Sequence, residues 1–171
     1  MLRKTIIVMA FGLGAGILFT AGCTPQKSML AGSFGTAVCR SADATVSPSV
    51  IYEKMTGCVR QHNYDLAVML YAQAGSYSWY DAIQADSEAA RQQHHALLRA
   101  ALEQLNETQR EAFWQRLSQT MKDASALSKI CRQVTALGPP RYRSDFTMQD
   151  TARADDQPLW QRAVNNYLHC T

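Results

Sequence analysis

The sequence predicts an all-α fold: a small bundle of about five helices, stapled by disulfides and standing behind a signal peptide and a tether. Three observations lead there. Residues 1–22 form a basic start followed by an uncharged apolar run, the layout of an export signal. From Pro48 onward, apolar residues recur at spacings of three and four, the period of a helix. Four cysteines, Cys39, Cys58, Cys131 and Cys170, follow the leader, and an even number in an exported chain reads as a disulfide framework.

Arg3 and Lys4 supply the basic start, and the run from Thr5 to Gly22 carries no charge. A transmembrane helix needs about 20 mainly apolar residues. This run approaches that length but is broken by Gly12, Gly14 and Gly16, so it reads as a leader and not as a retained span. Its end, Thr20-Ala21-Gly22-Cys23, resembles the lipobox of bacterial lipoproteins, in which small residues precede the cysteine that takes the lipid. The cysteine sulfur is nucleophilic enough to accept a diacylglyceryl group as a thioether, and small neighbours let the processing peptidase hold an extended backbone. Thr20 departs from the pattern, which usually has Leu at that place.

The resemblance implies that Cys23 is the acylated first residue of the mature chain. It also implies an outer-membrane anchor facing the periplasm, because Thr24, and not an acidic residue, follows the cysteine. Two or more acyl chains such as palmitate hold a protein stably, since each buried methylene contributes about 0.8 kcal/mol. The membrane partner is thus reached through the N-terminal lipid.

Loss of residues 1–22 leaves 149 of 171 residues, a length that suits one domain with a sizeable core. Arg3 and Lys4 go with the leader, so 17 basic residues become 15 against 14 acidic ones, close to neutrality. Nucleic-acid binding asks for a clustered basic face with interleaved aromatics. The basic residues here are scattered, and no nucleic-acid partner is expected. Residues 23–48 are rich in Ser, Ala, Gly and Thr, contain Pro25 and Pro48, and show no apolar period. They read as a flexible tether, whose second half a bridge at Cys39 would pin to the domain.

The helical domain occupies residues 49–171. Ile51, Met55, Cys58, Val59 and His62 form its first stripe; after Asn63, the segment YDLAVMLYAQAGSY sets Leu66, Ala67, Leu70, Tyr71 and Ala74 on one face. Together they give a helical hairpin. Tyr64, Ala67, Tyr71, Ala74 and Tyr77 are loosely similar to the helix pairs of tetratricopeptide repeats, but no second copy follows at that period. From about Asp81 to Leu105, the residues Ala90, His94, Leu97, Leu98, Ala101, Leu102 and Leu105 mark a helix in the second half. Thr108 and Glu111 match a capping box that starts the next helix. Phe113, Leu117, Met121, Ala124, Leu127, Cys131 and Val134 keep one apolar face until Gly138, Pro139 and Pro140 end it.

A polar loop, RYRSDFTMQDTARADDQ, follows, longer than compact domains usually carry without purpose. Its Arg141, Tyr142, Arg143 and Phe146 are candidate partner contacts, with packing of Tyr142 and Phe146 onto the bundle as the equal alternative. Asp156 is placed to cap a last helix with Pro158 in its first turn. Leu159, Trp160, Ala163, Val164, Tyr167 and Leu168 give that helix a wide apolar side.

The cysteines permit three pairings. Zinc would want closer pairs such as C-x-x-C, and even Cys39 and Cys58 have eighteen residues between them. Loop closure favours neighbours by about 0.6 kcal/mol per doubling of length. The expected bridges are therefore Cys39 to Cys58 and Cys131 to Cys170, against a competing arrangement in which packing brings Cys58 to Cys131. A catalytic thiol at Cys58 beside His62 is the weaker reading, because four residues on a helix is a common accidental spacing.

The chain contains no H-E-x-x-H, no G-x-S-x-G and no Gly-rich phosphate loop. His94 and His95 are adjacent and so face different sides of a helix; His94, on the apolar stripe, reads as a hydrogen-bonded core residue. No catalytic residue, metal or cofactor is expected. What the sequence carries is an anchor, a tether, staples and packed helices. The expectation is a lipid-anchored, non-enzymatic binding or assembly module of the cell envelope, with an envelope protein as partner. An immunity protein against an envelope-active toxin and a cell-wall hydrolase stand as alternatives.

Overall fold

The computed structural model describes residues 39–144 and 156–170. Six helices and no strands lie within them: α1 (Pro48–Arg60), α2 (Tyr64–Ala85), α3 (Glu88–Glu103), α4 (Glu107–Lys122), α5 (Ala124–Leu137) and α6 (Gln157–Leu168). The leader, Cys23 and Phe146 fall outside the described residues. No described helix is long and apolar enough to cross a membrane.

α2 is the axis of the bundle, and each of the other five helices packs against it. Its buried residues lie on every side, among them Ala67, Leu70, Ala74, Tyr77, Tyr80 and Ala82. A helix closed off all round is a core helix. Ser76, Tyr77, Ser78 and Tyr80 are all buried, so no solvent face marks the period in its second half, and the helix runs past Tyr77 as far as Ala85. Asp86 then turns left-handed, at φ 42°, and the Ser87 hydroxyl accepts the Ala90 N–H to start α3. The stretch from Asp81 to Leu105 is thus the end of one helix and all of another.

In α1 the predicted stripe of Ile51, Met55, Cys58 and Val59 is buried. His62 leaves it: it lies beyond the helix end at φ 58°, exposed, with Nδ1 3.1 Å from the Tyr64 hydroxyl. The helix ends first, so the i to i+4 pairing of Cys58 with His62 never forms. Cys58 is instead bridged to Cys39.

The capping box before α4 sits two residues earlier than Thr108 and Glu111. Asn106 is the cap: its Oδ1 accepts the Gln109 N–H at 2.9 Å, and Gln109 Oε1 accepts the Asn106 N–H at 3.1 Å. Asn caps as well as Ser or Thr, and the earlier box satisfies the same free donors first. The single helix expected from Thr108 to Val134 is two, meeting at Asp123, whose Oδ1 accepts the Ser125 and Ala126 N–H groups. Phe113 and Leu117 of α4 and Ile130 and Val134 of α5 still reach one core. α5 ends at Gly138, φ 75°, before the two prolines.

α6 carries Pro158 in its first turn as expected, but the Asp156 side chain makes no capping bond to it. Trp160, Ala163, Val164 and Leu168 are buried. The Trp160 ring lies 5.2 Å from Tyr77 and 6.3 Å from Tyr80, and its Nε1–H donates to the Thr135 carbonyl at 3.3 Å. Tyr167 covers Gly75 of α2 so closely that a Cβ there would collide with the ring. Only glycine permits that approach.

The disulfides join Cys39 to Cys58 and Cys131 to Cys170, separated by 19 and 39 residues. This is the neighbour pairing; Cys58 and Cys131 do not meet. On a chain-entropy account, closing loops of these lengths is worth about 3 and about 4 kcal/mol.

Candidate functional site

Two irregular segments, residues 39–47 and 138–144, cross the outside of α2 and are tied to it and to each other. Ala42 and Ala44 are buried. Gln73, buried in the middle of α2, donates its amide to the carbonyls of Ala42 and Asp43 at 3.2 and 3.3 Å. The Arg141 N–H donates to the Ala44 carbonyl at 2.7 Å. The Thr45 hydroxyl and N–H hold the Asp43 carboxyl below the usual carboxylate range, with Arg141 adding to the effect. The last part of the predicted tether is therefore built into the domain.

The four loop residues singled out in the sequence go separate ways. Arg141 and Arg143 are exposed. Tyr142 takes the packing alternative: it is 7% exposed, and its hydroxyl donates to Asp81 Oδ2 at 2.7 Å. Burial pushes its phenol well above the ordinary value. Phe146 lies outside the described residues.

A cleft of about 240 Å³ opens where this segment meets the start of α1, the middle of α2 and the first half of α3. Ser49 comes from α1 and Ser47 from its N-cap, Ser78 and Asp81 from α2, Gln93 and His94 from α3, and Tyr142, Arg143 and Ser144 from the crossing segment. Ser47 stands at the N-cap without capping; its hydroxyl is 3.1 Å from that of Ser49. Pro48 has no N–H, so α1 begins at the cleft with its first-turn donors uncapped.

His94 is 8% exposed, enclosed by the rings of Trp79, Tyr167 and His95 at 5.1 to 5.3 Å. Its Nδ1 is 2.7 Å from Ser78 Oγ, which is itself 3.1 Å from the Gly75 carbonyl. One hydroxyl proton cannot serve both neighbours. A helical serine usually gives it back to the preceding turn, which makes His94 Nδ1 the donor to Ser78 and leaves Nε2 as an acceptor. Burial, with His95 nearby, lowers the His94 pKa to about 4. The imidazole is neutral at neutral pH, and as a general base there it is weak. The Ser78 and His94 pair thus stands at the cleft as a neutral, hydrogen-bonded pair.

Among the described residues, no three His, Cys, Asp or Glu side chains gather where a metal ion could be held. Two wider grooves, of about 370 and 490 Å³, run between α2, α4 and α5 and along α5 and α6 beside the second bridge. The cleft is assembled from four separated segments, and no local motif announces Ser49, Asp81 or Gln93. The sequence signals at the cleft are His94, a polar residue on an otherwise apolar stripe, and Tyr142 and Arg143 of the loop. Comparison with protein-family models, with curated proteins and with solved structures finds no match.

Proposed function

We propose that this protein is a lipid-anchored, non-enzymatic binding or assembly module of the cell envelope, held at the outer membrane through an acylated Cys23 and facing the periplasm. The observation that carries the reading is the pair of bridges at the two ends of the domain. Such bridges form and persist in oxidising compartments, where the lipobox-like Thr20 to Cys23 would deliver the chain. The first bridge also suits an anchored protein. It fastens the incoming chain to α1 at Cys58, which is buried in the core, so tension from the lipid reaches a packed helix and not a fraying end. Arg141 stands on backbone that the Ala44 carbonyl holds in place, and a guanidinium so presented suits a carboxylate on a partner protein.

Metabolic labelling with a fatty acid tests the anchor. The wild-type chain takes up label and sediments with membranes; Cys23→Ser takes up none and remains unprocessed or soluble. Label retained by Cys23→Ser contradicts the reading.

A further inference from the structure

We propose that the cleft between α1, α2, α3 and residues 142–144 binds one ring of a neutral polyhydroxyl compound, a single sugar unit. The size of the cleft, about 240 Å³, equals the liquid volume of about eight waters. That lies just under the usual range for drug-sized ligands, about 300 to 1,000 Å³, and fits a compact molecule.

Among the described residues the lining holds one charge of each sign, Asp81, buried beneath the Tyr142 hydroxyl, and Arg143, exposed at the mouth. What remains is a mixed set of donors and acceptors. Gln93 offers an exposed amide, Ser49 a hydroxyl, Arg143 a fork of N–H donors with no ion-pair partner among the described residues. The uncapped first turn of α1 adds the Ser49 N–H. Adjacent hydroxyls on a sugar ring are likewise donors and acceptors at once, so they match such a set where a simple ion or hydrocarbon does not. Pro48, Ala90 and Leu97 line the same cleft and supply apolar wall for the C–H faces of a ring.

The neutral state of His94 belongs to the same design, since a positive imidazolium on the floor would upset the balance of Asp81 and Arg143. The assignment is to binding, and no bond-breaking step is part of it. The inference does not rest on the lipid anchor, and it stands or falls separately from Cys23.

The test is calorimetric titration of the full chain in a sugar-free detergent with glucose, galactose and N-acetylglucosamine in turn, and with acetate and choline as charged probes. At least one sugar is expected to bind saturably, in the millimolar range, and neither ion to bind. Gln93→Ala and Arg143→Ala, both exposed positions, should each weaken that sugar by about tenfold, the loss of one good hydrogen bond. Gln133→Ala, in the groove between α2 and α5, should leave it unchanged. Absence of binding by all three sugars, tighter binding of acetate or choline, or affinity untouched by Gln93→Ala and Arg143→Ala would each overturn the proposal.

Discussion

The two disulfides close opposite ends of one domain and are embedded in it differently. At the N-terminal end, Cys58 is fully buried, and the segment that Cys39 begins is also held by the burial of Ala42 and Ala44 and by the Gln73 amide. At the C-terminal end, Cys131 and Cys170 are both partly exposed and border an open groove. There the apolar face of α6 does most of the holding, through Trp160, Ala163, Val164 and Leu168. The first bridge is one of several fastenings on a short irregular strap. The second restrains the end of a helix that its core contacts already dock.

Trp160→Ala is expected to have the largest effect. It empties the space beside Tyr77 and Tyr80 and removes the donor to the Thr135 carbonyl. The expected loss is about 3 to 5 kcal/mol, as for other buried large-to-Ala changes. Urea unfolding with both bridges intact measures it; a loss under about 1 kcal/mol, the scale of a conservative core swap, would mean that the bridge and not the core holds α6.

Gln73→Ala acts on the other end and costs less, about 1 to 3 kcal/mol, because it strips the donors from two carbonyls close to the core. Amide exchange should then quicken across residues 42–45 and stay slow in α6. Uniform quickening over the domain would show that Gln73 supports the whole bundle and that the strap is no separate fastening.

The smallest effect is a pH dependence from His94. Its folded pKa, about 4, lies below the ordinary value of 6.5, so the unfolded chain binds a proton that the folded chain refuses. The stability it lends is present above about pH 6.5 and is lost as pH falls from there toward 4. His94→Asn keeps a polar group toward Ser78 without titrating. The Tm advantage of the wild type over that variant should therefore shrink between pH 7 and pH 5. An advantage that stays constant would place His94 in a solvated setting and open the comparison again.

The parts of this fold that were legible in the sequence are those with one solvated side. α1 and α6 show clean stripes, and Gly138-Pro139-Pro140 ends α5 where the chain lacks any way to continue. α2 hid its second half because Ser76, Ser78 and Tyr80 are buried along with its apolar residues, so polarity ceased to report on exposure. The start of α4 offered two overlapping capping patterns, and only three-dimensional contacts select Asn106 over Thr108. Asp123 breaks a helix inside an unbroken apolar stripe, because both helices it separates face the same core. The strap resembles a tether in sequence because Ala, Ser and Thr suit a flexible linker and also suit close packing on a helix, as Ala42 and Ala44 do. The cleft was illegible for a plainer reason: Ser49, Ser78, Gln93 and Arg143 are far apart in the chain, and nothing local requires them to meet.

The central claim is that two separate bridges fasten the two ends of the domain, the first within the packed strap and the second at the surface. Timed reduction of the native protein with a phosphine, followed by alkylation and peptide mapping, tests it most directly. The account predicts that the unreduced protein yields peptides joining Cys39 to Cys58 and Cys131 to Cys170, and that Cys131 and Cys170 are alkylated together before either of the other two. A peptide joining Cys58 to Cys131, free thiols before reduction, or earlier opening of the Cys39 to Cys58 bridge would contradict it.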